Sequence, residues 1–131
     1  MEMLPKGWLS AGFWLLLAAC LVGYHLALIF SGLVPNLVSR PLHMALILPF
    51  ALVLGATTPI GRFSGAALAA LGVGAALWVA VNSDRLGDQY GFLEGNFQFG
   101  VAIVLLGVTL ETARRAIGWP LPVVAGLALL Y

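Results

Sequence analysis

Residues 63–83 read FSGAALAALGVGAALWVAVNS, a run of 21 residues without a charged side chain. About 20 apolar residues are needed for a helix to cross a bilayer, so this run is predicted to form a membrane span over about residues 63–81. Its small residues fall into two helical stripes, one of Ala66, Ala70 and Gly74 and another of Gly72, Ala76 and Ala80. Because helices in lipid associate by close packing at small residues, this helix is predicted to lie at the centre of a bundle.

The composition of the whole chain agrees with a membrane location. Of its 131 residues, 62% are hydrophobic and 8% are charged, whereas about 25% of the residues in soluble domains are charged. Six Lys and Arg against five Asp and Glu leave a net charge of +1 without a basic block, so no nucleic acid partner is expected. The single cysteine, Cys20, excludes an intramolecular disulfide and redox chemistry by a cysteine pair. The sequence predicts an all-α membrane protein.

Charged residues divide the rest of the chain into further spans, since a charge at the centre of a spanning helix costs roughly 2.5 to 3.5 kcal/mol. Four transmembrane helices are predicted, over about residues 8–30, 41–58, 63–81 and 93–113. The first is interpreted as an anchor, because its apolar run exceeds the roughly 7 to 15 residues of a signal-peptide core. An uncleaved signal peptide is the alternative.

Prolines are expected to shape the second span. Residues 33–40 alternate apolar and polar positions and are expected to form a short interfacial segment, before the span begins at Pro41. Pro49 is expected to kink this helix, because it removes a backbone hydrogen bond. Pro59 and Gly61 are expected to end the span.

The end of the sequence has the character of a fifth span. The stretch from Trp119 to Tyr131 is apolar, but as a helix it would reach only about 20 Å, short of the roughly 30 Å hydrocarbon core. Residues 1–118 are therefore interpreted as a four-helix membrane domain. Residues 119–131 are interpreted as the truncated start of the following membrane helix or domain.

The basic residues predict the orientation of the four spans. One side of the layout carries Lys6, Arg62, Arg114 and Arg115, and the other carries Arg40 and Arg85. Lys and Arg are enriched on the cytoplasmic side of membrane proteins. Both ends of the four-helix unit are therefore expected to be cytoplasmic.

The spans lack the groups that ion-coupled transport requires. Carriers place ionisable side chains at membrane depth, and no predicted span has an acidic or basic residue near its middle. His25 and His43 lie near span ends and are expected to be structural, bonded to helix carbonyls. A haem site is the alternative and requires the first two spans to pack in register. No catalytic, cofactor-binding or metal-binding residue is predicted, and the chain is not expected to be an enzyme.

One polar segment stands out, LETARRAIGWPLP at residues 110–122. Glu111 has the spacing to pair with Arg114 at i+3 and with Arg115 at i+4. The simplest interpretation is a helix end with cationic residues at the cytoplasmic surface. The alternative is a rigid junction, in which Gly118 and two prolines connect to the next membrane domain.

Three ordered segments give the chain a resemblance to a known family. Residues 110–131 contain Leu-Glu-x-x-Arg-Arg-x-x-Gly-Trp-x-Leu-Pro, residues 40–45 (RPLHMA) contain Arg-x-x-His after GYHLALIF, and residues 81–86 (VNSDRL) contain Asn-x-Asp-Arg. Together they resemble the small four-helix membrane domain of fused TRAP (tripartite ATP-independent periplasmic) transporter permeases, especially the TAXI-associated branch. The residues that match the family motifs include Arg40, His43, Asp84, Arg85, Glu111, Arg114, Arg115, Gly118, Trp119 and Pro122.

The resemblance implies a function and a set of partners. Permeases of this family lie in the bacterial inner membrane and import an organic acid with sodium, after a periplasmic substrate-binding protein delivers it. The substrate and ion sites of the family belong to a large transport domain, and the small domain braces it as a static scaffold. The implied partners are the lipid bilayer, the large transport domain of the same permease and the binding protein, with no cofactor.

Two other functions stay open. The chain could be a stand-alone four-helix assembly or anchoring protein. A small multidrug exporter also has four spans but needs an embedded acid, which is absent between Glu2 and Asp84. The polar connection that contains Asp84, Arg85, Asp88 and Glu94 could meet the binding protein, although a solvated loop is the simpler interpretation.

Overall fold

The structure, a computed structural model, describes residues 11–32 and 34–131, which form helices and turns without a strand. Four helical segments are long and apolar enough to cross a membrane. The prediction of an all-α membrane protein with four transmembrane helices is therefore confirmed. The elements are α1 (Ala11–Ser31), α2 (Asn36–Pro49) with a π-helical extension (Phe50–Leu54), α3 (Pro59–Val81), the short α4 (Ser83–Asp88), α5 (Asn96–Ile117) and α6 (Pro120–Leu130).

The second span begins earlier than predicted. Helix α2 starts at Asn36, where the carbonyl of Pro35 accepts hydrogen bonds from the backbone N–H groups of Val38 and Ser39, both at 2.9 Å. The predicted start at Pro41 is therefore wrong, and residues 36–40 are helical and continuous with the span. Pro41 lies in the second turn, where it leaves one backbone carbonyl of α2 without its N–H donor.

The predicted kink at Pro49 takes the form of a change in helix type. The α-helix ends at Pro49, and Phe50–Leu54 continues as a π-helix whose last bond joins the N–H of Gly55 to the carbonyl of Phe50, 3.3 Å away. Proline lacks the N–H that a regular α-helix needs, and π-helical turns are one way in which a helix absorbs such a break. The span ends at Leu54 and not near residue 58.

Helix α3 begins at a proline that was expected only to end the preceding span. The hydroxyl of Thr58 caps the helix by accepting the Gly61 N–H at 3.1 Å, and Pro59 occupies the first turn. Both features are favourable at a helix start, because first-turn N–H groups have no partner inside the helix. The helix therefore starts four residues before the predicted boundary and includes Arg62 in its first turn.

Helix α3 packs against α2, the π-helical extension and α5, and its small residues allow this close packing. Of the two predicted stripes, the one containing Gly72 and Ala76 faces the core, whereas Ala70 and Gly74 are exposed along an open apolar groove beside α5. A Cβ at Gly65 would overlap the carbonyl oxygen of Leu52, so the two backbones touch there. The described core also includes Trp14, Leu48, Leu52, Val53, Ala69 and Val108.

Helix α5 is shifted by about one turn relative to the prediction of 93–113. It begins at Asn96 because Gly95 has a φ of 88°, and it ends at Ile117 because Gly118 has a φ of 102°. Both angles are in the left-handed region, which glycine adopts without a steric penalty. As a result, Phe92 and Leu93 lie outside the span, and the Arg114 and Arg115 pair lies in its last turn.

Candidate functional site

The last turns of α5 carry a compact cluster of three charged side chains, Glu111, Arg114 and Arg115, which we call the Glu111 cluster. Arg114 donates to both carboxylate oxygens of Glu111 through Nε and Nη2, each at 2.7 Å. Arg115 donates through Nε to Oε1 of the same carboxylate, also at 2.7 Å. The predicted i+3 and i+4 pairs therefore form simultaneously, and a single carboxylate is shared by two guanidinium groups.

Arg115 extends the cluster from α5 to α3. Its Nη1 donates to the backbone carbonyl of Gly61 at 3.2 Å, and its Nη2 donates to the hydroxyl of Ser64 at 3.2 Å. The Arg115 side chain is only 20% exposed, so these bonds are partly shielded from water. A planar guanidinium with donors on several edges suits this role, because it can serve a carboxylate, a carbonyl and a hydroxyl at once.

The close approach of α3 to Arg115 and to the π-helical extension depends on a glycine. A Cβ on Gly65 would lie 3.2 Å from Nη1 of Arg115, in addition to overlapping the Leu52 carbonyl. Beside it, the Nε of Arg62 donates to the carbonyl of Ala56 at 3.2 Å, which ties the loop between the π-helix and α3. The end of the second span, the start of α3 and the end of α5 thus meet beside the Glu111 cluster.

The same cluster also contacts the start of α6. The guanidinium carbon of Arg114 lies 5.4 Å from the ring centroid of Trp119, within the range of a cation–π interaction. Gly118 ends α5, its N–H bonded to the Arg114 carbonyl at 2.9 Å, and Pro120 opens α6. Pro122 is half-buried in the first turn of α6. The predicted junction residues are therefore adjacent in space, and α6 leaves directly from the cluster.

The opposite end of the bundle carries the other predicted polar residues. Arg85 of α4 pairs with Glu94 at 2.9 Å, and both side chains are more than half exposed. The hydrogen bond from Arg85 lowers the pKa of Glu94 below its ordinary value. Asp84 and Asp88 are exposed on α4, and Arg40 is exposed on α2. None of these last three forms an ion pair with another described residue, which fits the interpretation of a solvated loop.

Two histidines join α1 to α2. His25 lies six residues before the end of α1, and His43 lies seven residues after the start of α2, so His43 is deeper in its span than predicted. Nδ1 of His25 lies 2.7 Å from the carbonyl oxygen of Leu21, and Nδ1 of His43 lies 2.8 Å from Nε2 of His25. The expected bond to a helix carbonyl is present for His25, whereas the bond described for His43 is to the other imidazole. Axial ligation between two imidazoles would separate the ligating nitrogens by about 4 Å, twice a typical metal–nitrogen bond. This arrangement therefore does not fit a haem iron between His25 and His43.

Asp, Glu, Lys and Arg side chains lie only at the ends of the four described spans. Arg40 lies in the second turn of α2, Arg62 in the first turn of α3, and the Glu111 cluster in the last turns of α5. The contacts of Arg115 with Gly61 and Ser64 place the Arg62 and Arg115 ends on one side of the bundle. The predicted grouping of basic residues agrees with this arrangement, except that Lys6 lies outside the described residues.

The partners of Arg115 on α3 could not be found from the sequence. No local spacing in the sequence links residue 115 to residues 61 and 64. Comparison with known proteins adds no assignment: no protein family, curated protein or solved structure matches the chain.

Proposed function

We propose that this chain is a small, static scaffold domain of a TRAP-type permease of the TAXI-associated branch. In this role it supports sodium-coupled uptake of an organic acid by a large transport domain, which receives the acid from a periplasmic binding protein. The chain itself would carry no solute and catalyse no reaction. The observation that carries the proposal is the Glu111 cluster, which fastens α5 to α3 and lies at the start of α6.

The geometry of the cluster supports a bracing role. Its carboxylate is shared by two arginines that are partly shielded, and Arg115 spans 54 residues of sequence to reach Gly61. Beside the Glu111 cluster, the backbones of α3 and the π-helical extension are in contact at Gly65. Helices joined by both backbone packing and charge-assisted hydrogen bonds resist relative sliding. A domain that must stay fixed while another moves requires such a joint.

The distribution of charge supports the absence of a carrier function in this domain. A coupling ion or a charged solute at membrane depth needs a charged or strongly polar partner there. The described spans carry Asp, Glu, Lys and Arg side chains only in their end turns. The titratable pair that lies deeper, His25 and His43, is engaged in bonds to each other and to the Leu21 carbonyl. A multidrug-exporter mechanism is disfavoured by the same observation, because the acids of the described residues, Asp84, Asp88, Glu94 and Glu111, lie near the ends of the bundle.

The proposal includes an orientation in the bacterial inner membrane. The end with Arg62, Arg114 and Arg115 would face the cytoplasm, and the end with Arg40, Arg85 and Glu94 would face the periplasm. The exposed acids of α4 would then lie on the side from which a binding protein approaches. Helix α6, which leaves from the Glu111 cluster, would begin the connection toward the transport domain.

The static role can be tested by distance measurements during transport. Leu71 of α3 and Ile103 of α5 are both more than half exposed, so Leu71→Cys and Ile103→Cys can carry spin labels in a Cys20→Ser background. In the complete permease in nanodiscs, we expect the distance between these labels to stay unchanged when sodium, binding protein and substrate are added. A label pair in the transport domain serves as the control that movement occurs. A shift between residues 71 and 103 that accompanies that movement would contradict the scaffold role.

A further inference from the structure

The two histidines form a hydrogen-bond relay with a fixed direction. A carbonyl oxygen only accepts hydrogen bonds, so His25 must hold a proton on Nδ1 to bond Leu21. In a neutral His25 ring, Nε2 is then the acceptor, and His43 donates to it from Nδ1. Both rings are therefore in the Nδ1–H form, and the relay runs from His43 through His25 to the Leu21 carbonyl.

Helix α1 is lightly packed in the described structure. Trp14 is its one buried residue among those described, and α2 is its main packing partner. Near the other end of α1, the described polar links to α2 are the histidine bond and the bond from the Tyr24 hydroxyl to the Ser39 carbonyl at 2.9 Å. Loss of the histidine bond would thus leave the Tyr24–Ser39 bond as the described polar link between this end of α1 and α2.

Few other charges lie near the pair. On α1, the neighbouring titratable group is Tyr24, whose ring is 5.5 Å from that of His25. On α2, Arg40 is exposed one turn before His43. Helix α4, which also packs against α2, carries Asp84, Arg85 and Asp88, whereas the ionisable side chain of α3, Arg62, lies at the opposite end of the bundle. The described surroundings hold no carboxylate bonded to either imidazole.

We propose that His25 and His43 form a proton-operated clasp between α1 and α2. The clasp accepts one added proton: a charged His25 donates from Nε2 to Nδ1 of His43, whose own proton then resides on Nε2. The closed clasp cannot accept a second added proton, because all four ring nitrogens would then be donors and the bond between the rings would have no acceptor. Two positive rings with centroids 4.8 Å apart would also repel each other. The second proton opens the clasp.

The direction of the pH dependence follows from proton counting. The closed pair binds at most one added proton, whereas the open pair binds two. Opening therefore takes up a proton, and the open form gains population as the pH falls. Acidification on the side of the membrane that the clasp faces would release α1.

Nitrogen NMR can observe the clasp directly. The chain contains two histidines, so a sample in nanodiscs labelled with ¹⁵N at the imidazole rings gives signals from this pair alone. At pH 8 we expect protonated Nδ1 on both rings and a through-bond coupling between Nδ1 of His43 and Nε2 of His25. We expect the coupling to disappear at pH 5. Absence of the coupling at pH 8, or its persistence when both rings carry two protons, would overturn the proposal.

A second measurement follows the helix. Spin labels at Ile29→Cys on α1 and Phe99→Cys on α5, both exposed sites, report the position of α1 in a Cys20→Ser background. We expect a narrow distance distribution at pH 8 that broadens or shifts reversibly at pH 5. In His25→Gln, whose amide oxygen can accept the His43 proton but does not titrate, we expect no response to pH. An unchanged distribution in the parent, or an equal response in His25→Gln, would contradict the clasp.

Discussion

The Nη1 atom of Arg115 lies 3.2 Å from the carbonyl oxygen of Gly61, and this contact joins the last turns of α5 to the first turn of α3. The same carbonyl also accepts a hydrogen bond from the Ser64 hydroxyl at 3.1 Å. The other edge of the guanidinium bonds Glu111, which holds Arg115 in place from its own helix. The contact is therefore a fixed joint between two spans and not a surface ion pair.

Replacing Arg115 should weaken the bundle. Arg115→Ala removes the donors to Gly61, Ser64 and Glu111, and we expect it to lower the free energy of unfolding by about 1.5 to 3 kcal/mol, the usual range for hydrogen bonds to charged groups. Arg115→Lys should recover only part of this, because an ammonium group lacks the planar fork. Reversible unfolding in mixed micelles measures both. Arg114→Ala is the matched control, and its loss should be smaller because Arg114 bonds only within α5 and contacts Trp119.

Gly65 and Gly74 provide a matched pair within α3. A methyl group at Gly65 would overlap the carbonyl of Leu52, whereas one at Gly74 would meet no atom within 4 Å. We expect Gly65→Ala to destabilise the bundle by about 1 to 3 kcal/mol, the range for overpacked cores. Gly74→Ala should be neutral or should stabilise the helix by up to about 1 kcal/mol through helix propensity. Equal stabilities of the two variants would mean that α3 and the π-helix do not touch at Gly65.

The sequence was sufficient to predict the number and type of spans, because charge-free runs of about 20 residues leave few alternatives in a bilayer. It was less informative about where the helices begin. Pro41 and Pro59 are both acceptable residues for the first turn of a helix, yet only Pro59 begins one, whereas α2 begins before Pro41, at Asn36. The difference depends on the backbone geometry at the capping residues Pro35 and Thr58. The Glu111 pairs follow from local spacing, whereas Ser64 and Gly61 become partners of Arg115 only through packing.

The pKa of Glu94 should respond to its partner on α4. The Arg85 hydrogen bond favours the ionised carboxylate, so we expect the pKa of Glu94 to lie below its ordinary value and to return toward it in Arg85→Gln. Because the folded-state pKa is lowered, the pair favours the folded form above the unfolded pKa and loses this effect as pH falls through the folded value. Carboxyl-carbon NMR titration measures it, and 1 M salt should weaken the shift, since both side chains are exposed. An unchanged pKa in Arg85→Gln would exclude the pairing.

The proposed orientation can be tested by cysteine labelling in intact cells. Asp88 lies on α4 and Ile60 lies in the first turn of α3, both exposed and at opposite ends of the bundle. With Cys20→Ser as the background, a membrane-impermeant maleimide should reach Asp88→Cys from the periplasm. Ile60→Cys should react only after the membrane is permeabilised. The reverse pattern would place the Glu111 cluster on the periplasmic side.

The most direct test of the scaffold role is solute uptake by purified protein in liposomes. With the chain of residues 1–131 alone, an inward sodium gradient should give uptake of labelled organic acids no greater than in empty liposomes. Addition of the large transport domain and its binding protein should produce sodium-dependent uptake. Sodium-driven accumulation by the chain alone would contradict the account, because the acidic and basic side chains of its described spans lie only at their ends and leave no carboxylate at membrane depth to bind sodium.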